Sequence, residues 1–369
     1  MTLFDSEYAP RERPRRSRRQ RVGIVALGIA ALCAVVFAVT PSPYVIEQPG
    51  PVYNTLGTVT INDAEEPLIT VSGATTFDTE GSLDMLTVSI VGNRDHPLSW
   101  FEAGLAWFDS NRTLLPMDAV FPPGQTSEQQ QQQNQTEMVN SQQDAIAAAL
   151  INMGYPVGRD VTVSMLANTS PATGVLQVDD IILEANGQTV ESVDQLRAAV
   201  NALGGAAVPL TIDRAGVTES VSVTPIQADS GNWVLGIGAR VVYEFPVTVT
   251  IQLDRVGGPS AGMVFALGII TKMTPNGDLN GGKRWAGTGT IDADGNVGAI
   301  GGIAHKMVGA RAAGADYMLA PQSNCDEVVD HIPNGLEVFA VSTLEQAVQA
   351  VETVASGADT SQLERCTAG

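Results

Sequence analysis

The spacing of apolar and polar positions changes several times along this chain, and each change marks an element. Val22 to Val39 carries no charge at all, and eighteen residues is about the minimum helical length that crosses a bilayer. Beyond Pro41, short runs rich in Val, Ile and Thr alternate with turn residues, as in Leu68-Ile-Thr-Val71 and Met85-Leu-Thr-Val-Ser-Ile90, which predicts strands. A helix is expected over much of Glu128–Asn152, with the glutamine run Gln129–Gln133 as a solvated face. From Val161 strand patterns return, interrupted by a helix over Ser192–Leu203 with a serine cap and followed by strands at Val208–Arg214 and Thr218–Pro225. Val247–Leu253 alternates apolar and polar residues and reads as a strand. Ala261–Met273 is apolar over most of its length and reads as a buried helix.

These patterns predict an α+β multidomain chain. A basic tail (1–21) precedes a transmembrane helix (22–40), a β-rich juxtamembrane region (41–125) and a helical connector (126–154). A β-rich module (155–228), a last α/β domain (235–355) and a C-terminal tail (356–369) complete it.

Charge sharpens the picture. The formal net charge is −20, yet residues 1–21 hold seven arginines against three acids, so the rest of the chain is more acidic still. An acidic body argues against nucleic acid as a partner, because phosphate binding needs a basic face. Arginines before the apolar run place the N-terminus in the cytoplasm and the body across the membrane. A cleaved signal peptide is the alternative, but the apolar core is long and the small-residue sites after it are poor. Cys33 falls inside the span. Cys325 and Cys366 lie in the outer body, where they either pair or remain thiols. Neither a metal-ligand spacing nor a phosphate-binding glycine loop is present, so no cofactor is expected. His96, in a turn-rich Asn93–Pro97, reads as a surface residue.

The chemistry concentrates at Val256-Gly-Gly-Pro-Ser-Ala-Gly262. Two glycines and a proline make a tight junction between strand and helix, with Ser260 at the helix start. Backbone N–H groups there lack intrahelical partners and can face a developing oxyanion; Gly258 and Ala261 are the candidates. Ser260 needs a base. Gly258-Pro-Ser-Ala-Gly262 fits a hydrolase elbow, for which His331 would be the base of an esterase, but too little chain precedes it for that fold's early strands. The other base is Lys306, one turn into a helix opened by Gly301-Gly302. A lysine in a dry setting loses its preference for the charged form and becomes a usable base.

Two resemblances extend these readings. The stretch Ser170-Pro-Ala-Thr-Gly174 through Asp179-Asp-Ile-Ile-Leu183 to Asn186-Gly187 resembles the central signature of bacterial PDZ domains. That implies a module accepting an extended peptide beside its helix, with a carboxylate-binding loop before the strand at Val161, near Gly154-Tyr-Pro-Val157. The second resemblance is to the proteolytic domain of Lon peptidases. It is carried by Asp254-x-x-Gly257-Gly-Pro-Ser260-Ala-Gly262, by Gly287-Thr-Gly-Thr-Ile291, and by Gly295-x-Val297-x-x-Ile300-Gly-Gly-Ile303-x-x-Lys306. The likeness continues through Gly314-Ala-Asp-Tyr-Met-Leu-Ala-Pro321 to the helix at Leu344.

This second resemblance implies Ser260 as nucleophile, Lys306 as base and Thr288 as a support for the lysine amine. Thr290 departs from the family, whose bacterial members typically carry glutamate there. An anchor and a PDZ-like module ahead of such a domain resemble the membrane-anchored YlbL-type Lon-like proteins. The resemblance implies an ATP-independent serine endopeptidase acting on flexible or unfolded proteins outside the cytoplasm. Lon peptidase domains assemble into rings, so a homo-oligomer is one of the states it leaves open. The rival from another class is an idle, membrane-tethered PDZ-type binding or scaffold protein.

Overall fold

The computed structural model describes residues 18–61, 63–253, 256–275 and 279–367. Most of the basic tail, and Asp254 of the Lon-like motif, lie outside the described residues. The chain divides into two units, one of residues 1–50 and 88–131, the other of residues 51–87 and 132–369.

The first unit begins with helix α1 (Arg18–Val39), whose Val22–Val39 segment is long and apolar enough to cross a membrane. The chain continues into strand β1 (Tyr44–Asn54), whose first residues pair antiparallel with β4 (Thr113–Pro116). Between them lies helix α2 (Trp100–Trp107), closed at its start by a capping box in which Ser99 and Glu102 bond reciprocally. Ile46, Leu98, Ala106 and Leu114 form a small core.

The second unit holds two larger sheets and several two-stranded ones. One of the larger sheets is parallel over β15 (Glu337–Val341), β14 (Tyr317–Pro321), β11 (Arg284–Gly287) and β3 (Ser82–Val91), in that order. Alternation sets its two faces. Leu83, Met85, Trp285, Leu319 and Phe339 join one core with α5 (Gly262–Met273), α7 (Leu344–Ala355) and the buried end of α3 (Ser127–Asn152). Leu86, Ala286, Met318 and Val338 join the other with α6 (Ile303–Ala312). Strand β10 (Thr248–Ile251) pairs antiparallel with β2 (Ile69–Ser72). Cys325 and Cys366 are joined by a disulfide.

The expected β-rich region over 41–125 is therefore not one region. Residues 51–87 supply β2 and much of β3 to the second unit, because β3 carries the apolar alternation that the parallel sheet buries on both faces.

The second sheet of that unit is antiparallel, in the order β8 (Val217–Val223), β7 (Val208–Arg214), β6 (Ile181–Ala185), β5 (Gly158–Leu166), β9 (Ile237–Glu244). Helix α4 (Val193–Ala202), capped by Ser192, closes its core. Asn186 and Gly187 both take positive φ, 54° and 73°, as a two-residue reversal requires. β9 pairs with β5 over its whole length, so this module runs to Glu244 and not to 228. The last domain correspondingly starts after β9, not at 235.

A groove of about 330 Å³ lies between α4 and the chain entering β9, lined by Leu196, Val200, Trp233 and residues 235–239 among others. The expected loop at 154–157 is displaced from this groove. It precedes β5, which is interior to the sheet, whereas β9 is the edge strand beside α4. Residues 233–236 lead into β9 along this groove. Gly236 has φ 67°, and a Cβ there would stand 2.8 Å from Pro171 Cδ.

Candidate active site

Ser260 lies one residue before Ala261, the cap of α5. That helix is buried over all its residues but Lys272, so it offers a rigid platform for the loop that precedes it. This loop is held from outside by α3. Gly258 N–H donates to the Asn134 carbonyl (2.9 Å), and Ser141 Oγ donates to the Pro259 carbonyl (2.9 Å). The approach is close: a Cβ on Gly257 would stand 2.8 Å from Asn134 Cβ, and one on Gly262 would stand 2.8 Å from Ser141 Oγ. Gly258 also takes φ 88°, where a side chain is strained. Glycine at these positions is thus a packing requirement.

The opposite wall is α6, opened by Gly302 with φ 67°. Lys306 enters in its first turn and is 2% exposed. Its Nζ lies 2.8 Å from Ser260 Oγ and 3.0 Å from Thr288 Oγ1. Thr288 is fully buried, and its hydroxyl donates to the Ser260 carbonyl at 3.0 Å. Gly289 N–H donates to the same carbonyl at 2.8 Å. With its one proton spent on that carbonyl, the Thr288 hydroxyl faces the amine as an acceptor. Lys306 Nζ in turn donates to Thr288 Oγ1.

The three residues Ser260, Lys306 and Thr288 are brought together; other candidates are not. Gly258 is corrected as an oxyanion donor: its N–H is taken by Asn134, in the hydrogen bond that fixes the loop. The Ser260 and Ala261 N–H groups have no hydrogen-bond acceptor among the described residues. His331 is exposed, with Nδ1 2.8 Å from the Glu327 carbonyl and no hydrogen bond to Ser260 among the described residues. Thr290 sits on strand β12 (Thr290–Ile291), opposite Gly298 of β13 (Val297–Gly298), with no hydrogen bond to Ser260 or Lys306 among the described residues. No group of three His, Cys, Asp or Glu residues could hold a metal among the described residues.

Asn134 and Ser141 carry no mark in the sequence pattern. The glutamine-rich helix reads as a solvated face, yet two of its residues, Asn134 and Ser141, brace the loop before α5.

The PDZ-like module is tied to this region by polar contacts. Tyr243 of β9 donates to Asp144 of α3 at 2.6 Å, and Arg159 of β5 pairs with Asp294 in the loop between β12 and β13. Burial raises the Asp144 carboxyl above its usual range, against the Tyr243 hydrogen bond that lowers it.

Residues 254–353 match the family described as the Lon protease (S16) C-terminal proteolytic domain. An archaeal Lon protease from Methanocaldococcus jannaschii is 32% identical over 108 residues, 29% of this chain and 16% of that protein. The Lon protease of Citrifermentans bemidjiense is 28% identical over 141 residues, 37% of this chain and 17% of that protein. The matched stretch thus spans about one sixth of these relatives' length. Among solved structures, the PDZ domain of an SdrC-like protein from Listeria monocytogenes is similar at 21% identity, covering 21% of this chain and 85% of that chain, with a TM-score of 0.20. At such scores the PDZ-like description rests on strand order and groove. The Lon-type match over residues 254–353, the PDZ-like sheet order and the apolar N-terminal helix together fit a YlbL-type PDZ-containing Lon-like peptidase.

Proposed function

We propose that the chain is a membrane-anchored serine endopeptidase working through Ser260 and Lys306 without nucleotide. The observation that carries the reading is the 2.8 Å contact between a buried lysine amine and a partly exposed serine hydroxyl at a helix start.

In this reaction Lys306 Nζ takes the Ser260 proton as Oγ bonds to the scissile carbonyl carbon. The Ser260 and Ala261 N–H groups receive the oxyanion. The carbon–nitrogen bond then breaks, and the proton on Lys306 passes to the departing amine. Water, deprotonated by the same lysine, hydrolyses the acyl ester and restores the serine. Strand β10 pairs with β2 on one side only among the described residues; its other edge would take substrate as an added strand. The body acts outside the cytoplasm on flexible or unfolded chains, and the groove beside α4 selects them or regulates the site.

The test is hydrolysis of casein by the full chain in detergent, without nucleotide, for wild type, Ser260→Ala, Lys306→Ala and His331→Ala. Loss in the first two variants and retention in the third supports the reading. Activity surviving Lys306→Ala contradicts it.

A further inference from the structure

Helix α2 is apolar in an unusual direction. Ala103 and Ala106 are buried, while Trp100, Phe101, Leu105, Trp107 and Phe108 are exposed, the last two by 77% and 89%. At 100° per residue these five side chains and Gly104 fall within one arc of about 160°. Glu102 lies outside that arc and is held by Ser99 in the capping box. Single exposed apolar residues need no explanation, but a continuous aromatic face does.

Its position says what would cover it. The Trp100 N–H donates to the Thr40 carbonyl at 3.2 Å, and Ser42 N–H donates to the Leu98 carbonyl at 2.7 Å. Pro41 and Ser99 form a bridge. Thr40 directly follows the last residue of the Val22–Val39 span. The start of α2 is therefore fixed at the level where α1 would leave the hydrocarbon. Tryptophan and phenylalanine on an amphipathic helix at that depth suit the headgroup and acyl boundary. The exposed ion pair of Asp109 with Arg112 follows the helix and would stay in water.

We propose that α2 is a second membrane element, lying in the plane of the phospholipid interface with its aromatic face in the lipid. This rests on α1 being an anchor. It would hold the first unit against the bilayer instead of leaving it on a free tether.

The test uses the full chain in phosphatidylcholine vesicles whose acyl chains carry bromine, a quencher of tryptophan, either near the headgroup or near the chain end. Trp100 and Trp107 are two of four tryptophans; Trp285 is fully buried and Trp233 lines the groove. Emission should fall by up to about half, more with shallow than deep bromine, as expected for an interfacial helix. The variant with Trp100→Tyr and Trp107→Tyr should show no such loss. Protein that floats with the vesicles yet shows equal emission in brominated and plain lipid overturns the proposal, as does shielding of both tryptophans by a second, cross-linkable copy. Protein that does not float with vesicles overturns the anchor reading and this proposal with it.

Discussion

Thr288 shows how much one hydroxyl can decide. Its proton goes to the Ser260 carbonyl and its lone pair faces Lys306, so it fixes both the loop and the amine. Thr288→Val should lower kcat about 10- to 100-fold with little change in KM, a part of what general base catalysis contributes, whereas Thr288→Ser should recover most of it. Steady-state kinetics on a peptide substrate distinguishes the two. Ser141 acts one step further out. Its hydrogen bond to the Pro259 carbonyl polarises the peptide whose N–H belongs to Ser260. Ser141→Ala should reduce kcat several-fold and cost about 1 kcal/mol of stability, read by thermal unfolding alongside kinetics. Ser260 and Lys306 are legible because their motifs are local in sequence. Asn134 and Ser141 are not, because their partners stand far along the chain and a polar helix face carries no periodic mark of what it touches.

Among the elements, the PDZ-like module has its own polar pin. Asp180, one residue before β6, accepts two bonds from the Arg214 guanidinium (2.8 and 2.6 Å) and one from Gln177 N–H. Burial pushes this carboxyl up, but the Arg214 and Gln177 bonds together outweigh it and hold it below the usual range. A carboxyl depressed on folding stabilises the module above its unfolded value of about 4, and that contribution is lost as pH falls through the folded value. Asp180→Ala should cost about 1–3 kcal/mol by leaving these donors unsatisfied and should flatten the acid limb of a stability–pH curve. An unchanged acid limb would remove Asp180 from this role. The Asn186-Gly187 pair of the PDZ-like signature falls at the reversal after β6, with positive φ at both residues. The stretch 154–157 does not line the groove beside α4, because local pattern shows that β5 is a strand but not which strand lies at the sheet edge. Helix α2 carries its own signal, Ser99-x-x-Glu102, hidden among strand-like neighbours.

For the whole molecule, the disulfide ties the C-terminal tail to the proteolytic domain. Cys325 and Cys366 are 41 residues apart, and closing a loop of that length restricts the unfolded chain by about 3–4 kcal/mol. Cys366→Ser, or reduction of the wild type, should lower the melting temperature, while Cys33→Ser should not; equal melting in all forms would deny the bridge a stabilising role. The parallel sheet is only partly legible, since β3 comes from a segment far upstream of β11 and pairs with it through contacts no local window contains. In the proposed reaction Ser260 is made nucleophilic by the buried Lys306 beside it. The most direct measurement is the rate at which a fluorophosphonate labels Ser260 in the full chain, located by peptide mass spectrometry. Ser260 should be labelled in wild type and in His331→Ala, and the labelling should be lost in Lys306→Met. Labelling of Lys306→Met at the wild-type rate would contradict the dyad.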